Sequence, residues 1–409
     1  MTRRFLSCAL LALAGAACSG EGSGDALLVA SEEIPSPAGV NSGEPFVSVD
    51  GGHVLMSWLE QSGGGHDLRF ARFDGTTWTE PSTIAHRTDF FVNWADFPSV
   101  RPGPEGTLWA HWLERGEAGG YDYGVRIVRS EDDGATWSDA WTPHDDDSPT
   151  EHGFVSAFEE GGRIGFVWLD GRKNDPEVLA ASGGHGEMTL RARMVSADGS
   201  PHEEVLLDGR VCDCCQTASA LATEGPVVVY RNRTDDEIRD IYVTRRVDGA
   251  WTEGVPVHDD GWEIGGCPVN GPAIDTDGSS VVVAWFTGAH GEARAKVAFS
   301  GDDGATFGAP VVIDDGAPGG RVDVHLLEDG AALVTWLEHT GGEGAEVRMR
   351  IVDPDGTAGA SHALTQTTAA RPSGFPRVAP MSETTFLLAW TDARSEAPRV
   401  RVQQVEMIR

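Results

Sequence analysis

The chain has 409 residues, 40% of them hydrophobic, and a formal net charge of −33. That balance excludes a nucleic-acid or anionic-membrane surface, since either needs clustered Lys and Arg to meet phosphates. It fits solubility in a salty or extracellular medium. The 52 glycines, many in Asp-Gly and Gly-Gly pairs between short apolar runs, read as all-β with many turns.

Residues 1–17 read as a signal peptide. Arg3-Arg4 give a positive start, Phe5 to Leu13 an apolar stretch, and Ala14-Gly15-Ala16-Ala17 a small-residue cleavage region before Cys18. This resembles a bacterial lipoprotein signal, which implies that Cys18 is lipidated and that residues 18–25, rich in Gly and Ser, are a flexible tether. Secretion without a lipid is the alternative, because Gly15 departs from the usual larger apolar residue. Either way the expected destination is outside the cytoplasm, in the cell envelope, with the membrane touched only through the anchor. That compartment permits disulfides.

From residue 26 to 409 one pattern recurs. A short apolar strand closes on an aromatic residue at Trp58, Trp112, Trp168, Tyr230, Trp285, Trp336 and Trp390, 51 to 62 residues apart. A period near 55 suits a four-stranded propeller blade with generous loops. Each unit has an apolar first strand such as Phe46-Val47-Ser48-Val49, the aromatic-ending strand, an alternating strand such as Val125-Arg126-Ile127-Val128-Arg129, and a fourth after a tight turn. The seventh unit stops after its third strand, near Val405. Ala26-Leu27-Leu28-Val29-Ala30 can supply the missing one and close the ring, which removes the exposed edges. The expectation is a single all-β, seven-bladed β-propeller, with six or eight blades as alternative counts, and a monomer.

The turns Ser130-Glu131-Asp132-Asp133-Gly134-Ala135-Thr136-Trp137 and Ser300-Gly301-Asp302-Asp303-Gly304-Ala305-Thr306-Phe307 resemble the Asp-box (BNR repeat) of sialidase-type propellers. The resemblance implies that these turns lie opposite the ligand face, and that the chain enters each innermost strand from that face. It therefore places Trp94, Asp96, His152, Cys212 to Cys215, Cys267, Arg321, Asp323 and Arg377 around a channel mouth. The loops after the aromatic-ending strands add Arg172, Arg231, Arg233, Asp235, Asp236 and Glu237.

Three thiols in Cys212-Asp213-Cys214-Cys215 are answered by Cys267 one blade further on. One reading is a structural disulfide between blades, from Cys267 to one member of the cluster, although Cys214 with Cys215 and Cys212 with Cys214 resist disulfide geometry. Another is a soft-metal site, copper as Cu(I) or zinc, with His152 as a further ligand. A third is thiol redox beside Arg231 or Arg233. Two function classes stand beside each other. The first is a binding scaffold taking a glycan, small ligand or protein at the mouth, with Arg172, Trp94 and the loop from Arg231 to Asp240 as contacts, or with that loop as a self-satisfied ion network. The second is an exo-glycosidase of sialidase type, for which the resemblance implies three arginines on a carboxylate, a Tyr–Glu nucleophile and an acidic Asp. Arg321, Arg377, Asp323 and Asp96 are its candidates. The Phe/Tyr-Arg-Ile-Pro motif of that family is absent; Phe97-Pro98-Ser99-Val100-Arg101-Pro102 is the nearest stretch. No tyrosine has an evident Glu partner.

Overall fold

The computed structural model describes residues 28–182 and 186–408; the signal segment, Cys18 and the tether lie outside them. Seven antiparallel sheets form a ring. Blade 1 begins with Ser42–Asp50, blade 2 with Ser99–Pro102, blade 3 with His152–Glu160 and blade 4 with Ala218–Leu221. Blades 5, 6 and 7 begin with Ala273–Asp277, Pro318–Leu326 and Arg377–Pro380. The count of seven and the ring closure are as expected. Leu28–Ile34 pairs with Arg399–Ile408 from Leu28 opposite Ile408 to Ile34 opposite Val402. Three outer strands are reduced: in blade 2 to a bridge from Trp141 to Ile127, in blade 4 to the split pair Ala250–Trp251 and Val255–Pro256, and in blade 5 to Val311–Val312. The sequence patterning gave no sign of the short helix Pro176–Ser182, which Asp175 starts by accepting the Glu177 N–H at 2.8 Å. No helix among the described residues is long and apolar enough to cross a membrane.

The repeated aromatic is the core of each blade, and six of the seven are essentially inaccessible. A carboxylate two residues on, hence on the same side of the strand, often accepts the buried indole N–H. Trp58 donates to Glu60 at 3.0 Å, Trp168 to Asp170 at 3.0 Å and Trp336 to Glu338 at 2.6 Å. A large ring is thereby buried without leaving its one donor unsatisfied.

The two full turns share one bonding pattern. Asp132 accepts the Thr136 N–H at 2.8 Å and its hydroxyl at 2.6 Å, and Ser130 Oγ accepts the Gly134 N–H at 2.8 Å. Asp302, Thr306, Ser300 and Gly304 repeat it at 2.9, 2.7 and 3.0 Å. Gly134 combines φ +84° with a site where a Cβ would meet the Phe70 ring at 2.3 Å, so no larger residue fits.

Candidate functional site at the channel mouth

Where the chain turns into the innermost strands, a residue in the left-handed region recurs. Glu44, Phe154, Val269 and Arg321 have φ of 53°, 54°, 51° and 53°, and Gly374 has 57°. The sheet register slips beside several of them, between Gly43 and Phe46 and between Gly320 and Asp323. Such bulges re-aim side chains at the rim of a sheet, and non-Gly residues are held there only by surrounding structure.

The cysteines follow the outer strand of blade 3. Cys212 donates its N–H to the Arg231 carbonyl at 2.9 Å, which fixes the start of the turn. Its sulfur lies 2.9 Å from that of Cys215 and 4.0 Å from that of Cys214. All three sulfurs fall within 4.8 Å of one another, and Cys267 lines the same cleft as Cys214. All four are free thiols; Cys212 and Cys215 are buried, whereas Cys267 is exposed. Arg239 directs Nη1 at Cys212 Sγ from 3.6 Å. Burial opposes a Cys212 thiolate, but hydrogen bonds from the other two thiols and the charge of Arg231 outweigh it and hold its pKa well below the usual thiol range. Cys214 and Cys215 are pushed up instead, Cys214 by hydrogen bonds with the neighbouring thiols and then burial, Cys215 by burial and then the Cys212 thiol. Three sulfurs at this spacing, once deprotonated, suit Cu(I) or Zn.

The neighbouring cleft, about 560 Å³, is lined by Cys214, Cys267, Asp213, Glu151 and an aromatic wall of Phe91, Trp94, Tyr121 and Tyr123. Trp94 stacks on Phe375 with centroids 5.8 Å apart and has the Arg321 guanidinium 4.8 Å from its ring. Burial, then the charges of Asp213, Asp96 and both Cys267 and Cys212, push Glu151 up to about 8. Asp96, 2% exposed, is pushed up to about 7 by burial, against hydrogen bonds from the Phe154 N–H at 2.7 Å and the Tyr123 hydroxyl at 3.1 Å.

Several residues sit differently from the sequence expectation. His152 does not join the thiols. Its Nε2 lies 3.0 Å from Asp146 and 3.7 Å from Asp170, its Nδ1 3.2 Å from the Thr150 carbonyl, and its ring stacks on His144. The preceding residue, Glu151, faces the cleft instead. Tyr123 does have partners: its hydroxyl reaches Asp96, and its backbone bridges Glu151.

The arginines are largely spent on the fold. Arg231, 2% exposed, donates to the carbonyls of Asn270, Arg239 and Phe286 at 2.6 to 3.0 Å. Arg321 likewise serves the carbonyls of Gly374, Ala369 and Ala370. Arg172 grips Asp170 with two bonds of 2.6 and 2.7 Å and reaches Glu204 at 2.9 Å. In the charged loop, Arg233 and Arg239 both hold Glu237, at 2.7 and 2.8 Å, and both approach Asp213. Arg210 binds the exposed Asp235, and Asp236 stands in solvent. This loop is the self-satisfied network. Arg377 approaches Asp323 at 3.5 Å deeper in the channel.

No protein-family model and no curated protein matches the chain. Similar solved structures include a protein of unknown function from Dyadobacter fermentans DSM 18053, with a TM-score of 0.55 and 15% identity over 94% of this chain and 100% of that one. An ulvan lyase of a new polysaccharide lyase family has a TM-score of 0.50 and 12% identity over 76% and 79% of the two chains. A Trypanosoma rangeli sialidase has a TM-score of 0.48 and 13% identity over 79% and 56%. At such identities the likeness is one of fold alone: this chain is a seven-bladed propeller, similar in architecture to the first two of these proteins.

Proposed function

We propose that this chain is an exported, lipid-tethered glycan-binding propeller whose mouth carries a thiolate site for a soft metal, Cu(I) or Zn. The carrying observation is the mutual approach, within 4.8 Å, of the Cys212, Cys214 and Cys215 sulfurs, with Cys267 lining the same cleft. A glycan ligand is supported by the aromatic wall of the adjoining cleft and, by analogy of fold, by the polysaccharide-acting neighbour. Binding is favoured over hydrolysis because Tyr123 is a poor nucleophile: burial and then Asp96 hold its pKa well above the usual phenol range.

One observation favours a second reading of the thiols. The Cys212 and Cys215 sulfurs are 2.9 Å apart, and a bridge between them with a second from Cys214 to Cys267 would make two disulfides with no thiol left over. Protein secreted to the oxidising compartment and purified without chelator separates the readings by metal analysis and by mass spectrometry of unreduced peptides. About one equivalent of copper or zinc, lost in Cys212→Ser, is expected. Two mapped disulfides and no metal would refute the metal site. Glycan-array binding that is lost in Trp94→Ala tests the ligand class separately.

A further inference from the structure

Below the mouth, the axial channel narrows to a cavity of about 180 Å³ that draws lining residues from the innermost strands of all seven blades or the turns leading into them. Most polar groups in its wall are committed. Gln216 bridges the Ala95 carbonyl and the Gly271 N–H, and Thr217 donates to the Phe154 carbonyl at 2.8 Å. The two oxygens of Asp96 accept from Phe154 and Tyr123. Asp323 accepts the Val324 N–H at 3.2 Å and the Val378 N–H at 2.9 Å.

What is left over is almost entirely donor. Arg101 and Arg377 flank the Phe46 ring, their guanidinium carbons 4.3 and 5.7 Å from its centroid. The Arg101 side chain makes no hydrogen bond or ion pair with any described residue, and the buried Nε atoms of both arginines, with the buried Ser219 hydroxyl, have no protein partner. A guanidinium offers five N–H donors and no acceptor, and buried donors left unpaired are costly. Of the two carboxylates in the wall, Asp96 is held by Phe154 and Tyr123 and Asp323 reaches only one of the guanidiniums, that of Arg377. Burial and then the charge of Arg377 push Arg101 down to about 10, against a smaller opposing pull from Asp323.

We infer that the axial channel is a binding site for a small monovalent anion, a halide or a carboxylate no larger than acetate, held between Arg101 and Arg377 with Ser219 as a further donor. These residues come from blades 2, 7 and 4, so the anion ties three blades across the axis. The site is independent of the thiols above it.

The test uses the full mature chain. Thermal unfolding in sodium chloride, bromide or acetate is compared with sodium gluconate at constant ionic strength, for the wild type, Arg101→Met and Ser219→Ala. A saturable rise in Tm with the small anions is expected, because a ligand that binds only the folded state stabilises it. R101M should abolish that rise, and S219A should weaken the apparent affinity several-fold. Crystals soaked in bromide should show an anomalous peak in the channel beside Arg101 and Arg377. If R101M does not fold, S219A and the bromide peak decide. Water alone in the channel of the soaked crystal overturns the inference, and so does a Tm indifferent to the choice of anion.

Discussion

Replacing Asp96 with Asn should make the propeller more stable at pH 8 while leaving it little changed near pH 4. The carboxyl is held at about 7 in the fold against 3.8 when free, so the folded state binds its proton more tightly than the unfolded chain. Stability from this group is therefore complete below pH 3.8, falls as pH rises, and is lost once pH passes about 7. At about 1.4 kcal/mol per pH unit the full loss is about 4 kcal/mol, of which roughly 2.5 kcal/mol falls between pH 5 and pH 8. An asparagine is neutral throughout and still offers an oxygen to the Phe154 N–H. Its altered bond to Tyr123 adds a pH-independent offset of about 1 kcal/mol. Glu151 is raised in part by the Asp96 charge, so its relief adds in the same direction. Urea unfolding followed by tryptophan fluorescence at pH 5 and pH 8 measures the difference between the two proteins. A difference that stays constant across that interval would show that Asp96 is ionised normally and refute the reasoning.

Deleting residues 28–34 should leave Arg399–Ile408 as an open edge and uncover Val405 and Met407, which pack with Val29; association is expected. Light scattering checks this, and a monodisperse protein of unchanged Tm would count against it. Asp170→Asn removes the carboxylate charge from a buried cluster of Trp168, Arg172 and His152, with an expected loss of about 3 kcal/mol in chemical denaturation. A loss below about 1 kcal/mol would mean that Glu204 alone neutralises Arg172.

The blade count was legible because burying one aromatic per sheet leaves a strong period, and ring closure followed from a seventh unit one strand short. The mouth was legible only to the resolution of a segment. His152 carried the right chemistry for a thiolate partner, but successive residues of extended chain face opposite ways, and it is Glu151 that turns to the cysteines. Arg231 and Arg321 looked available for a ligand. Whether a guanidinium meets solvent or loop carbonyls is decided by long-range packing, here by Asn270 and Gly374 from neighbouring blades. Arg101 was passed over because it sits in a stretch that fails a known motif. Its significance depends on partners it lacks, which no local pattern encodes. The pairing of Cys212 with Cys215 was open to inspection as a two-residue gap.

With the lipid anchor proposed above, the closing strand would also set which way the molecule points. Leu28 lies opposite Ile408, at the far end of blade 7 from the mouth, on the side that carries the Asp132 and Asp302 turns. A chain arriving from a lipid at residue 18 would therefore meet the propeller from underneath. The cleft and the thiols would look away from the bilayer, toward whatever polymer or partner lies beyond it, and the tether would compete with neither. An anchor grafted after residue 408 would emerge on the same side, so display on a surface from either terminus should leave the mouth accessible.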